Sequence, residues 1–277
     1  MQIRDYSLPA GWFPRDSASV SSFLSEFKEQ KQVFSAVIAP HAGWYYSGKL
    51  SALAISGLQP QADTIVIIGG HLPGGHEALF AMEDAVKTPF GSIEIDSVLR
   101  KEVMDEFGGD EDCYRDNTIE VLLPMAHYFF PKAKLLWLRL GADTESFECG
   151  KIISKAALKL NKKINVIAST DLTHYGANYG FSPKGGGEAA LRWVREVNDA
   201  GFIKAVESSD HKEVLRRADK DFSSCSAGAV LGAMGFAQAQ NLGKARLLKY
   251  STSADISIQE GEGIPNSFVG YAAFAFG

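Results

Sequence analysis

Five residues have side chains whose chemistry and placement suit a reactive centre: His41, His71, Asp171, His174 and Cys225. Imidazole nitrogen and thiolate sulfur are good ligands for iron, copper or zinc. Asp171 and His174, three apart, could act as acid and base or orient a ligand through a hydrogen bond. Each residue alone has a plainer reading. A histidine after a strand is more often a hydrogen-bonded structural residue, and a free cysteine is more often a buried, inert thiol. Their shared setting raises them above that. His41 follows an apolar run at residues 33–40, His71 follows residues 64–68 through Gly69 and Gly70, and Asp171 and His174 follow residues 164–168. Cys225 opens a helix of small apolar residues, where free backbone N–H groups favour the thiolate.

The elements that must position these residues are buried strands alternating with helices. Short apolar runs at 33–40, 64–68, 134–140 and 164–168 read as buried strands, and 245–253 and 267–276 as closing strands. Residues 87–96 read as a turn and an alternating strand. Helical spacing starts at Ser17 and recurs at 47–58, around Val98 to Phe107, and at 118–130, 145–160, 188–197, 200–207, 212–218 and 226–240. Residues 259–266 form a Gly-rich polar loop. This alternation predicts an α/β fold with a mostly parallel central sheet covered by helices on both faces. In such sheets ligands bind beyond the carboxyl ends of the strands, so three reactive strand ends would share one crevice. With no long linker and no repeat, residues 1–277 are expected to form one domain.

A net charge of −5 gives no basis for non-specific nucleic-acid binding. No apolar run reaches the roughly 18 residues of a membrane span, and residues 1–16 lack the pattern of a secretory signal. Three scattered cysteines make no disulfide framework, which predicts a reducing, cytoplasmic setting. Cys113 and Cys149 are expected to be inert buried thiols, His127 a satisfied core histidine, and His76 and His211 solvated. No dinucleotide fingerprint, P-loop, Gly-x-Ser-x-Gly elbow or Cys-x-x-Cys is present.

The stretch Ala39-Pro-His-Ala-Gly-Trp-Tyr-Tyr-Ser-Gly48 resembles the signature of the Memo-like family, also called AmmeMemoRadiSam system protein B. Ala10-Gly-Trp-Phe-Pro14, Ile67-Ile-Gly-Gly-His71, Lys87-Thr-Pro-Phe-Gly91, Thr118-Ile-Glu-Val121, Ser169-Thr-Asp-Leu-Thr-His-Tyr-Gly176 and the closing strands extend the resemblance over nearly the whole chain. The family is similar in fold to class III extradiol dioxygenases, which use non-haem Fe(II). The resemblance therefore implies a metal held by His41, His71 and Cys225, with Asp171 and His174 beside it as acid–base residues. Where the dioxygenases place a carboxylate ligand, Cys225 offers a thiolate, which suits copper or iron. Asn117 stands where relatives often carry histidine, and the Gly69-Gly70 approach to His71 is one residue shorter.

Three functions follow as expectations. The first is a redox or dioxygenase-like metalloenzyme using iron(II) or copper, with Trp44, Tyr45 and Tyr175 walling the pocket. The second is a module that binds a peptide or small molecule without catalysis. The third is hydrolysis, by zinc on the same ligands or by Cys225 with His174 as its base. The resemblance also implies a link to an AMMECR1-type protein and a radical-SAM protein. Glu120 is a candidate carboxylate behind the metal.

Overall fold

The computed structural model describes residues 1–27 and 33–277. Nine strands form the main sheet. Its order runs His174–Gly176, Ser267–Phe276, Ala36–Ala39, Ile164–Ser169, Thr64–Leu72, Lys134–Gly141, Leu79–Phe80 and Asp110–Glu111, with Ala245–Thr252 also paired to Ser267–Phe276. The four central strands are parallel, and antiparallel pairing is confined to the flanks. The central strands are buried on both faces, which explains why they read as continuous apolar runs.

Alternate residues of each strand feed two cores. Ile38, Val66, Ile68, Leu138 and Val166 face the helices Ser97–Phe107, Glu145–Lys159, Ala200–Glu207 and Ala227–Ala239. Val37, Ile65, Ile67, Trp137 and Ile167 face the helices Ser17–Leu24, Trp44–Ser56 and Leu123–Phe129. The Ala227–Ala239 helix is buried almost all round, and its glycines admit the neighbouring backbone. A Cβ at Gly235 would overlap the Phe147 carbonyl, and one at Gly228 the Gly141 carbonyl.

Three expected elements differ. The helix anticipated over 118–130 is two, Asn117–Glu120 and Leu123–Phe129, because Pro124 has no N–H to continue the first and starts the second instead. The segments 188–197 and 200–207 are one continuous helical stretch containing a π-turn at Val194–Asp199. Residues 87–96 lie in a hairpin of Ala85–Thr88 with Gly91–Glu94, which pairs with Ile3–Arg4 in a small separate sheet. Among the described residues no helix is long and apolar enough to cross a membrane.

Candidate metal centre

The carboxyl ends of three parallel strands do converge. The backbone N–H of His41, just beyond Ala36–Ala39, donates to Asp171 Oδ1 at 2.8 Å, so the first and third strand ends are tied together. His41 is buried, and its Nδ1 lies 2.8 Å from Ser169 Oγ, which leaves Nε2 for the interior. That Nε2 stands 3.2 Å from Cys225 Sγ. The His71 ring meets the His41 ring edge to face, 5.0 Å between centroids.

His71 gets there through unusual backbone. Its φ of 58° is left-handed, which non-glycine residues rarely adopt, and the strand loses register between Gly69 and Leu72. Gly69 and Gly70 make the approach possible. A Cβ at Gly69 would overlap Thr118 Oγ1, and one at Gly70 would overlap Ser226 at the head of the Ala227–Ala239 helix. Small size at these positions brings the helix start, with Cys225 just before its Ser226 cap, against the strand end.

The other face of the His71 ring is fixed by a residue the sequence reading missed. Its Nδ1 lies 2.9 Å from Asp116 Oδ2. Asp116 also caps the Asn117–Glu120 helix by accepting from Thr118 N at 2.8 Å, and it pairs with Arg139 at 3.3 Å. Arg139 in turn pairs with buried Asp112 at 3.3 Å and donates from Nε to the Gly70 carbonyl at 3.0 Å.

Nitrogen from His41, nitrogen from His71 and sulfur from Cys225 all lie within 4.8 Å of one another. Donors about 2.0–2.3 Å from one ion lie at most roughly 4.6 Å apart, so the three atoms need draw together by only a few tenths of an ångström to share a metal. The donor chemistry fits as well. Each imidazole has its second nitrogen on an oxygen, the arrangement that fixes ring orientation at metal sites. Cys225 receives a further hydrogen bond from Asp171 N at 3.3 Å, and its own N–H donates to the Asp171 carbonyl at 3.3 Å.

Charge inside the cluster is strongly coupled. Burial would raise the Cys225 thiol, but the two imidazoles hold it well below its ordinary range. Burial would lower His71, yet Asp116 and the Cys225 sulfur raise it to about 10. His41 is likewise raised, with Asp171 and Cys225 outweighing its burial. Asp116 is pulled to about 2 against its burial by His71, Thr118 and Arg139. Asp171 goes the other way: burial pushes its carboxyl up, and His41 only partly offsets that.

A cavity of about 670 Å³ opens in front of the cluster. His41, His71, Asp171, His174 and Asn117 line it, and Cys225 does not. His174 places Nδ1 3.0 Å from the Leu172 carbonyl and packs edge-on against Tyr179. Asn117 donates from Nδ2 to the His41 carbonyl at 3.0 Å, so it braces the backbone of a cluster residue.

The expected aromatic walls are wrong in detail. Trp44 is buried with Nε1 donating to the Val121 carbonyl, Tyr45 points out and donates to Glu260, and Tyr175 is buried with its hydroxyl donating to the Gly185 carbonyl. The aromatic lining comes instead from Trp12, Tyr46, Tyr179 and Tyr271. Glu120 also lies elsewhere in the network: it accepts from Ser7 N, Ser7 Oγ and Leu8 N and pairs with Arg15 at 3.6 Å. It thereby anchors the N-terminal strap whose Ala10, Gly11 and Trp12 wall the cavity. Cys113 is exposed rather than buried, whereas Cys149 is buried as expected. His127 is half-buried and satisfied by Thr88, His76 is exposed, and His211 is half-buried and stacks on Phe147 instead of being free in solvent.

Fold and site together define an α/β protein with a histidine–cysteine cluster at the carboxyl edge of a parallel sheet. A family profile described as Memo-like protein matches residues 4–275, and the chain belongs to that family. A MEMO1 family protein of Methanococcoides burtonii is 33% identical, covering 88% of this chain and 86% of its own. A MEMO1 family protein of Pyrococcus horikoshii is 30% identical, covering 98% of each. The crystal structure of an uncharacterized protein from Escherichia coli K12 shares the fold, with a TM-score of 0.53 at 12% identity over 87% of this chain and 99% of that one.

Proposed function

We propose that this chain is a metal-dependent, dioxygenase-like oxidoreductase that holds iron(II) or copper on His41, His71 and Cys225. The observation carrying this reading is the convergence of three soft and borderline donors within 4.8 Å, each imidazole oriented by a second hydrogen bond. When bound, such a metal supplies a redox centre and a Lewis acid with positions left for substrate.

The chain's own residues then divide the work. The cavity holds a small molecule or a peptide side chain against the two histidines. Asp171, its carboxyl raised by burial, keeps a proton to higher pH than a surface aspartate and serves as the acid. His174 directs Nδ1 to the Leu172 carbonyl, which fixes the N–H there and leaves Nε2 as the base. Tyr46, Tyr179 and Trp12 screen the site from water. The cavity meets the histidines and not the thiol, which favours Cys225 as a ligand over Cys225 as a hydrolytic nucleophile.

Elemental analysis of protein purified without oxygen tests this, for wild type and Cys225→Ala. Iron or copper near one per chain in wild type, lost in the variant, is expected. Stoichiometric zinc would shift the reading to hydrolysis. Absence of any metal after reconstitution with Fe(II), Cu and Zn²⁺ would end the metalloenzyme reading. The exposed Tyr46 and Tyr179 at the cavity mouth would then support a partner-binding module.

A further inference from the structure

Behind the cavity, Thr173 has every polar atom engaged. Its N–H donates to Asp199 Oδ1 at 3.1 Å, its hydroxyl donates to the same oxygen, and its carbonyl accepts from Gly270 N at 3.0 Å. Asn198 Nδ2 donates to Thr173 Oγ1 at 2.9 Å, and Tyr250 donates to Asp199 Oδ2 at 2.7 Å. The π-turn at Val194–Asp199 lets the two consecutive residues Asn198 and Asp199 both reach this one threonine. In a regular helix consecutive side chains diverge by about 100°. Gly270 has no space for a Cβ, because Asp199 Oδ2 occupies it.

Asp199 is fully buried, and among the described residues no cation pairs with it. A buried carboxyl without a cation is costly, and an asparagine of the same shape would avoid that cost. Its survival in so complete a hydrogen-bond frame points to a task. Thr173 lies between Asp171 and His174, and Asp171 N donates to Cys225 Sγ.

We propose that Asp199 is a positioning residue that, through Thr173, sets the loop bearing Asp171 and His174 against the Cys225 thiolate. The inference rests on the metal-site reading above. Burial pushes the Asp199 carboxyl up to about 6, so the hold is pH-dependent. Ionised, it accepts from three donors; protonated on Oδ2, it donates to Tyr250 instead, and its neutral Oδ1 holds the two Thr173 donors more weakly. Tyr250 is the titratable group facing it, with the Arg195–Asp255 ion pair beyond Tyr250 and Asp171 and His174 on the loop itself.

Cobalt(II)-loaded protein reads this directly through the thiolate-to-cobalt absorption band, with cobalt content measured at each pH to separate release from tuning. In wild type the band changes with a midpoint near pH 6. In Asp199→Asn it is flat between pH 5 and 7.5. In Tyr250→Phe, which removes one donor to the carboxylate, the midpoint rises by about one pH unit. A purely structural role would lower cobalt content without moving the midpoint. Wild-type band and midpoint in both variants would overturn the proposal. If wild type shows no thiolate–cobalt band, the metal reading fails, and hydrogen exchange in metal-free protein decides this one. Protection of the Thr173 amide should then fall about tenfold from pH 7 to 5.5 in wild type and stay constant in Asp199→Asn. Equal behaviour of the two would overturn it.

Discussion

The His71–Asp116 contact makes Asp116 the strongest test of the proposed metal site outside its three donor residues. Asp116→Asn keeps the shape but removes the charge that orients His71 and raises its basicity. Metal affinity should fall about 10- to 100-fold, measured by competition with a chromophoric chelator. Equal affinity would show that ring packing alone orients His71. His41, His71, Asp171 and His174 stood out in the sequence because each follows a predicted strand, and Cys225 because it opens a predicted helix. Asp116 was not, since it lies in the polar run Asp110 to Asn117, where nothing periodic singles out one carboxylate. A usable signal lay across the sheet. Arg139 interrupts an otherwise apolar strand, and a buried guanidinium requires buried acceptors, here Asp112 and Asp116. The aromatic lining was misassigned because helical phase from Trp44 is uncertain by one residue: Tyr46, not Trp44 or Tyr45, faces the cavity.

At the scale of elements, the strap of residues 10–12 depends on Glu120. Glu120→Ala leaves two backbone N–H groups and the Ser7 hydroxyl without their acceptor and removes the carboxylate paired with Arg15. The expected loss is about 2–4 kcal/mol in urea unfolding, together with faster proteolysis before residue 16. Unchanged cleavage would show that the strap is held by the Tyr6, Phe13 and Arg15 packing alone. Gly70→Ala should separate the Ala227–Ala239 helix from the Thr64–Leu72 strand and abolish metal binding while the fold persists, read by circular dichroism beside metal content. The parallel centre of the sheet was readable because burial on both faces leaves continuous apolar runs. The π-turn was not, because one widened turn leaves the helical pattern on either side of it intact and has no special composition. The left-handed His71 was hidden too, since positive φ is usually announced by glycine or asparagine.

Across the whole molecule, two buried carboxyls give stability opposite dependences on pH. Asp96 accepts from Leu99 N at 3.0 Å and pairs with Lys162 at 2.6 Å, and these contacts with Thr64 hold its carboxyl below the usual range against its burial. Its contribution is therefore present above about pH 4 and lost as pH falls through the lowered folded value. Asp199 is raised, so the folded state binds its proton more tightly than the unfolded chain. Stability falls as pH rises from about 4 to 6, by about 3 kcal/mol for this group. Asp199→Asn should flatten that interval in a stability-versus-pH curve, and Asp96→Asn should flatten the more acid side and cost about 1–3 kcal/mol at neutral pH. A parallel shift of the whole curve in either variant would refute the assigned titration.

The cluster joins residues far apart in the chain, with Cys225 lying 184 positions after His41. At about 5–20 residues per second, a ribosome finishes the cysteine roughly 10–40 seconds after the first histidine. During that interval His41 and His71 exist without their sulfur partner. The Ser267–Phe276 strand, which borders the His41 strand and supplies Val269 and Tyr271 to the cavity, is made later still. A nascent chain therefore offers free ions only scattered, weak donors. On the proposed metal-site reading, acquisition is consequently an event of the finished protein, with its selectivity set by the pool the folded chain meets after synthesis.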